Sequence, residues 1–335
     1  MLNIAVLGCG RIGKMHAENI AAHPRARLVG VFDVHRPSAA AVAERLGVTN
    51  FASADDVFAA TDVQAVLIAT STATHVGFIE QGVAAGKAIL CEKPIDLSLD
   101  RVNACAQKIA GSKLPIMIGF CRRFDPGHRA ARQTMVDGEI GDLHQVVITS
   151  RDPGMAPDAY IEGSGGIFRD MTIHDLDLAR YMLGEEVVAV TAQGSRLVNP
   201  ALMERCNDYD TVVVTLLTGS GKQAIITNSR KAVYGYDQRV ELFGNRGMVI
   251  SENHRQNLVT KHSAAATNIS APLQNFFIER YQDAFAAEID NFVDGVEGKA
   301  ALDVDFEDGR LALVLAEAAG RSVAEGRVIL VSEIG

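Results

Sequence analysis

The chain has 335 residues, 41 acidic against 32 basic, for a formal charge of -9. Such a length suggests two domains, and a 48% hydrophobic fraction is ample for burial. The acidic balance without clustered Lys and Arg excludes nucleic acid as a partner, and no apolar run approaches the ~20 residues that cross a membrane.

Ile4 to Leu7 forms a short buried-strand signal, and Gly8, Gly10 and Gly13 follow at the spacing G-x-G-x-x-G. Arg11, Ile12, Met15, Ala17 and Ile20 then begin a helical pattern. In such a strand-to-helix turn the first glycine permits the tight turn. The second lets the backbone approach a pyrophosphate, and the third lets helix and strand pack closely. The free N–H groups at Arg11 and Ile12 suit phosphates. A second strand, Leu28 to Phe32, ends at Asp33, about 20 residues past the last glycine. A carboxylate there accepts from ribose hydroxyls and repels a 2′-phosphate, so NAD is expected over NADP. Arg36 votes weakly the other way, because a nearby arginine accommodates such a phosphate.

Strands and helices alternate onward. A helix from Pro37 to Leu46 stops at Gly47, and Val63 to Ala69 is a strand followed by Thr70-Ser71-Thr72-Ala73-Thr74-His75. A helical stripe at Val76, Ile79 and Val83 closes at Gly86, Ala88 to Cys91 is a strand, Ser98 caps a helix, and Ile116 to Phe120 is a further strand. Alternation of this kind implies a doubly wound parallel sheet with ligands at the C-terminal strand ends.

After Phe120 the pattern changes. A helix-like stretch runs from Phe168 to Leu183, followed by strand signals at Val187 to Ala192, Thr211 to Thr218, Gln223 to Ser229 and Val240 to Phe243. Strands without intervening helices imply a second, α+β domain with an open, mostly antiparallel sheet. An open face of that sheet would suit homo-oligomerisation. Residues 251 to 272 read as a loop, Phe276 to Val293 and Phe306 to Val323 as amphipathic helices, and Val328 to Val331 as a closing strand. The expected domains are 1–121 and 122–335, with one late helix free to return to the first.

Cys9, Cys91, Cys105, Cys121 and Cys206 are odd in number and widely spaced, without C-x-x-C, so neither a disulfide framework nor a zinc site is expected. Met1 leads straight into the first strand, leaving no room for a signal peptide. The expected location is the cytoplasm, with reduced thiols.

Two groups carry candidate chemistry. Lys93, in Glu92-Lys93-Pro94 just beyond a strand end, projects from the same sheet edge as the dinucleotide loop, where its ammonium can stabilise a developing alkoxide. On position alone it is equally a surface lysine. Asp170 and His174 are four apart, share one helical face and can meet. Histidine can take a proton from a hydroxyl as hydride leaves the adjoining carbon. A metal held by Asp170, His174 and Asp177 is the competing reading; no third ligand has a convincing spacing, so no metal is expected.

The pieces GCGRIG at Gly8 to Gly13, CEKPI at Cys91 to Ile95, GFCRRFDP at Gly119 to Pro126, GGIFRDMTIHDLDLARYMLG at Gly165 to Gly184 and AVYGYDQRVELFG at Ala232 to Gly244 resemble the oxidoreductase family grouped as glucose-fructose oxidoreductase, inositol dehydrogenase and rhizopine catabolism. The resemblance implies a Rossmann domain for NAD, a C-terminal domain for substrate and oligomerisation, and a homodimer or homotetramer. It puts the catalytic lysine, aspartate and histidine on Lys93, Asp170 and His174, which would also contact substrate. Arg123, Asp152 and Tyr236 would lie near the polyol, and Thr70, Ser71, His75, Glu92 and Lys93 along the nicotinamide half. Family members often have proline and asparagine where this chain has Ser71 and Thr72. The implied activity is NAD-dependent oxidation of a secondary hydroxyl of a cyclic polyol, with myo-inositol to its 2-keto product foremost. Its alternatives are oxidation of scyllo-inositol or an aldopyranose, and a non-catalytic NAD-sensing regulator.

Overall fold

A computed structural model describes residues 1–334. They divide into two compact units, Met1–Phe124 with Ala284–Leu313, and Asp125–Asp283 with the residues from Val314 onward.

The first unit starts with β1 (Leu2–Leu7), α1 (Arg11–Ala22), β2 (Ala26–Phe32), α2 (Arg36–Leu46), β3 (Thr49–Asn50) and α3 (Ala54–Ala59). It continues with β4 (Ala65–Ile68), α4 (His75–Ala84), β5 (Ala88–Glu92), α5 (Leu99–Ile109) and β6 (Ile116–Gly119). Local chemistry sets several of these ends. Ser53 accepts the Asp56 N–H to start α3, Ser98 accepts the Arg101 N–H to start α5, and Gly47 ends α2 in the left-handed region at φ 66°. The six strands are parallel, in the order β3-β2-β1-β4-β5-β6. β4 and β6 are buried throughout, as a sheet covered on both faces requires.

Register matters most for function. Phe32, Leu7, Ile68, Cys91 and Ile118 pair across the sheet in one row. The loops that follow them therefore leave the sheet at one level, with Asp33, Gly8, Ala69-Thr70 and Glu92-Lys93 side by side.

The second unit begins with α6 (Pro126–Val136), β7 (Leu143–Arg151), α7 (Asp158–Gly163), α8 (Ile173–Leu183), β8 (Val187–Ser195) and α9 (Pro200–Arg205). β9 (Thr211–Thr218), β10 (Gln223–Ser229), β11 (Asp237–Gly244), β12 (Gly247–Ser251), β13 (Thr260–Lys261), β14 (Ile269–Ser270) and α10 (Phe277–Arg280) follow. α11 (Gln282–Val296) enters the first unit at Ala284, α12 (Phe306–Glu325) leaves it after Leu313, and β15 (Ile329–Leu330) closes the second unit's sheet.

That sheet has seven strands in the order β12-β11-β7-β10-β9-β8-β15, antiparallel except where β7 meets β10. β9 alternates strictly, with Val212, Val214, Leu216 and Thr218 buried and Val213 and Leu217 exposed. Leu217, Phe243, Met248 and Ile250 stand on its exposed face. Among the described residues no helix is long and apolar enough to cross a membrane.

Several expectations change in detail. The stretch Phe168 to Leu183 is helical throughout but not uniformly wound: a π-helical turn, Phe168–Thr172, runs directly into α8. The stretch from Phe276 breaks at Tyr281 into α10 and α11, and the loop 251–272 contains the two-residue ladder of β13 and β14. α6 escapes the apolar pattern because its buried face is only His128 and Ala131. Its signal was the cap, where Asp125 accepts the His128 N–H ahead of Pro126.

Candidate functional site

At the dinucleotide edge the three glycines do three different things. Gly8 lies at φ +98°, and a Cβ there would come within 2.3 Å of the Ala69 carbonyl oxygen. A Cβ on Gly13 would come within 1.9 Å of the Gly8 oxygen, so α1 packs on the turn only because Gly13 has no side chain. Gly10 is exposed, and a Cβ on it would meet no protein atom within 4 Å. It is the N-cap of α1, without a side-chain cap. An open approach to uncapped N–H groups fits a pyrophosphate.

Asp33 is fastened at both carboxylate oxygens, accepting the Cys9 N–H at 2.6 Å and the His35 N–H at 2.7 Å. This sets it half-buried at the end of β2, with lone pairs left for ribose hydroxyls. The buried Cys9 thiol is pushed up to about 11, by burial first and then by Asp33. Arg36 is committed elsewhere, donating to the Phe51 carbonyl at 2.6 Å and to Asn50 at 3.1 Å. Both placements suit NAD.

Thr70 and Ser71 begin the loop after β4, where the Thr70 and Thr74 hydroxyls bond at 2.7 Å. His75 is buried, with Nδ1 2.8 Å from the Pro94 carbonyl and Nε2 3.2 Å from the Thr70 carbonyl. Burial pushes its pKa down, so the ring is neutral and its single N–H goes to the shorter contact at Pro94. His75 thus bonds the turn that carries Lys93, while its other ring nitrogen lies against the Thr70 carbonyl. The peptide between Lys93 and Pro94 is cis. Glu92 accepts the Lys93 N–H at 3.3 Å, and its other oxygen lies 2.8 Å from His16 Nε2.

In the second unit Asp170 sits in the π-helical turn. The Tyr160 hydroxyl donates to one of its oxygens at 2.8 Å, and Arg230 pairs with the other at 3.0 Å. The Arg230 side chain is 3% exposed and stands 3.6 Å from Asp208 as well. Burial, then Asp170, push the Tyr160 phenol up, so it is a hydrogen-bond donor throughout the physiological range. From Met171 to Arg180 every residue except His174 is buried. The helix is packed on all sides but one, and the histidine marks that side.

Other candidates are placed differently. Arg123 is nearly enclosed in the first unit, donating to the Asp303 carbonyl at 2.7 Å and pairing with Asp308 at 2.9 Å. Tyr236 is buried against the rings of Phe276 and Tyr281, whereas Asp152 is half-buried past the end of β7. Asp177 is buried within α8. Tyr160 and Arg230 were missed by sequence reasoning. Tyr160 lies 10 residues from Asp170 and Arg230 60 away, so no local spacing links them to it.

Residues 2–120 match the model of an oxidoreductase family with an NAD-binding Rossmann fold, and residues 128–250 match the GFO/IDH/MocA C-terminal domain. The chain is 48% identical over 332 residues to an inositol 2-dehydrogenase of Rhizobium meliloti strain 1021, covering 99% of each. It superposes on the crystal structure of a myo-inositol dehydrogenase from Corynebacterium glutamicum with a TM-score of 0.94 at 46% identity, covering 98% of both chains. A scyllo-inositol dehydrogenase from Lactobacillus casei, solved with NAD(H) and scyllo-inositol, gives 0.91 at 30% identity, covering 99% of both.

Proposed function

The chain belongs to the GFO/IDH/MocA family of NAD-binding oxidoreductases, and from that premise we propose that it oxidises a secondary hydroxyl of a cyclic polyol, myo-inositol to its 2-keto product foremost. The observation that carries this is His174, the one half-buried residue in the otherwise buried run from Met171 to Arg180, one turn after an anchored carboxylate. A relative named for inositol, at 48% identity over nearly the whole length, supports the substrate class.

Bound NAD supplies the hydride acceptor. Asp33 would hold the adenosine ribose, and the open face of Gly10 would admit the pyrophosphate. Thr70, Ser71 and Glu92 would line the nicotinamide end, with His75 packed behind the first of them. Lys93 would donate to the substrate hydroxyl and stabilise the alkoxide as it forms. His174 would take the hydroxyl proton while Asp170 orients the imidazole. Tyr160 and Arg230 hold the two carboxylate oxygens of Asp170. Asp152 would accept from a further ring hydroxyl, and Arg123 and Tyr236 would shape the walls of the site. The open sheet face with Leu217, Phe243, Met248 and Ile250 suits a second copy, so a cytoplasmic homodimer or homotetramer is part of the proposal.

A panel of inositols and aldopyranoses, assayed by absorbance of reduced cofactor with NAD and NADP, tests the assignment. NADH should form fastest from myo-inositol. A preference for scyllo-inositol would move the assignment to the activity named for the L. casei protein. Tight NAD binding with no turnover of any polyol would make the chain a dinucleotide sensor instead.

A further inference from the structure

Behind the Lys93 turn lies a group of ionisable side chains to which the proposed reaction gives no task. Glu288 on α11 is 0% exposed, and among the described residues neither of its carboxyl oxygens has a hydrogen-bond partner. One ligand atom from each of His16, Glu92 and Glu288 lies within 4.8 Å of the other two. Phe285, on the same helix, meets the His16 ring edge-on at 5.5 Å and closes that side. Cys121, after β6, is also buried, and Glu288, Glu92, Arg122 and Lys93 all act on its thiol.

A bare carboxylate with no cation and no donor does not persist in such a place. A metal ion is one remedy, and the His16 ring argues against it. A histidine ligand hands its second ring N–H to an oxygen, yet His16 Nδ1 is buried without a partner. Were Nδ1 itself the ligand, Glu92 would be occupied with Nε2 and only Glu288 would remain to complete the site. A proton is the other remedy. Two carboxyl groups this close share one negative charge. Glu92 already accepts from His16 and from the Lys93 N–H, whereas Glu288 accepts from nothing.

We propose that Glu288 is carried as a neutral carboxylic acid behind the Glu92–Lys93 turn, and that it thereby keeps a single negative charge, on Glu92, at the foot of Lys93. Glu288 is a positioning residue and touches no reactant. The groups facing it are His16 from α1 and Glu92 at the end of β5, and the buried Cys121 thiol feels any charge on it. Burial first, then Glu92, hold its carboxyl well above the usual range. The native state therefore keeps a proton that the unfolded chain releases. This contribution to stability is complete below the ordinary carboxylate range and is lost as pH rises, by about tenfold in the folding equilibrium constant per pH unit, until native Glu288 ionises.

Infrared difference spectra of the full-length native protein against Glu288→Gln, at mildly alkaline pH in light and heavy water, test this directly. One protonated-acid C=O band, shifted by deuteration, should be present in the native protein and lost in the variant. The pH slope of native stability should exceed that of Glu288→Gln by one proton. No such band, or a stoichiometric divalent metal that Glu288→Gln fails to bind, would overturn the proposal. The link to Lys93 rests on the polyol reading: native Glu288, once ionised at alkaline pH, adds a negative charge that favours the Lys93 ammonium, so the alkaline limb of turnover should move to lower pH in Glu288→Gln, and identical limbs would break that link. If no polyol is turned over, the functional reading fails while the infrared result still decides the protonation state.

Discussion

At the sheet edge of the first unit, position comes from the backbone. Five paired residues bring four loops out at one level, Gly13 lets a helix close on Gly8, and Asp33 is set by two N–H groups from residues within its own βαβ unit. At the π-helical turn of the second unit, position comes from side chains. Asp170 is held by a phenol from α7 and a guanidinium from the segment after β10. The difference teaches where each region is vulnerable. Added bulk is the threat to the first, and a lost charge is the threat to the second.

The largest expected effect sharpens the side-chain half. His174→Ala should lower turnover about a thousandfold, the range for a lost general base, while NAD affinity stays within about twofold. Native turnover in the variant would remove His174 from the chemistry. Arg230→Met comes next. It strips the cation from Asp170 and Asp208, and breaking such a buried pair costs about 3–5 kcal/mol. Thermal unfolding should report that loss, and an unchanged midpoint would mean that Asp170 is held by other means.

The smallest pair tests the backbone half. Gly13→Ala should destabilise the fold by about 3 kcal/mol, since its Cβ meets the Gly8 oxygen with nowhere to go. Gly10→Ala should cost less than about 1 kcal/mol, the loss of a glycine N-cap, and weaken NAD binding about tenfold, because its Cβ enters space that is open only until the pyrophosphate arrives. Equal loss of stability in both variants would break the contrast.

The same contrast explains what could be read without coordinates. The glycine spacing, Asp33 and the position of Lys93 after β5 are local features, and the parallel, doubly wound sheet follows from alternation. Asp170 and His174 were legible as a pair four apart, but Tyr160 and Arg230 were not, because their relation to Asp170 exists only once α7 and β10 have folded around it. Arg36 and His75 were legible as residues but not as partners of Phe51, Pro94 and Thr70. α7 and α9 are six residues each, too short for a helical period to declare itself.

The π-helical turn has a consequence for how this chain tolerates change in length. Such a turn holds one residue more than an α-helix spends on the same arc. Deleting a single residue between Phe168 and Thr172 would restore ordinary winding without breaking the helix. The segments before and after it would keep their relative phase, because the arc between them is the same. His174 would keep its outlook, and the residues inside the turn, Asp170 among them, would be the ones displaced from Tyr160 and Arg230. The extra residue sets where the carboxylate stands, and one codon is enough to remove it.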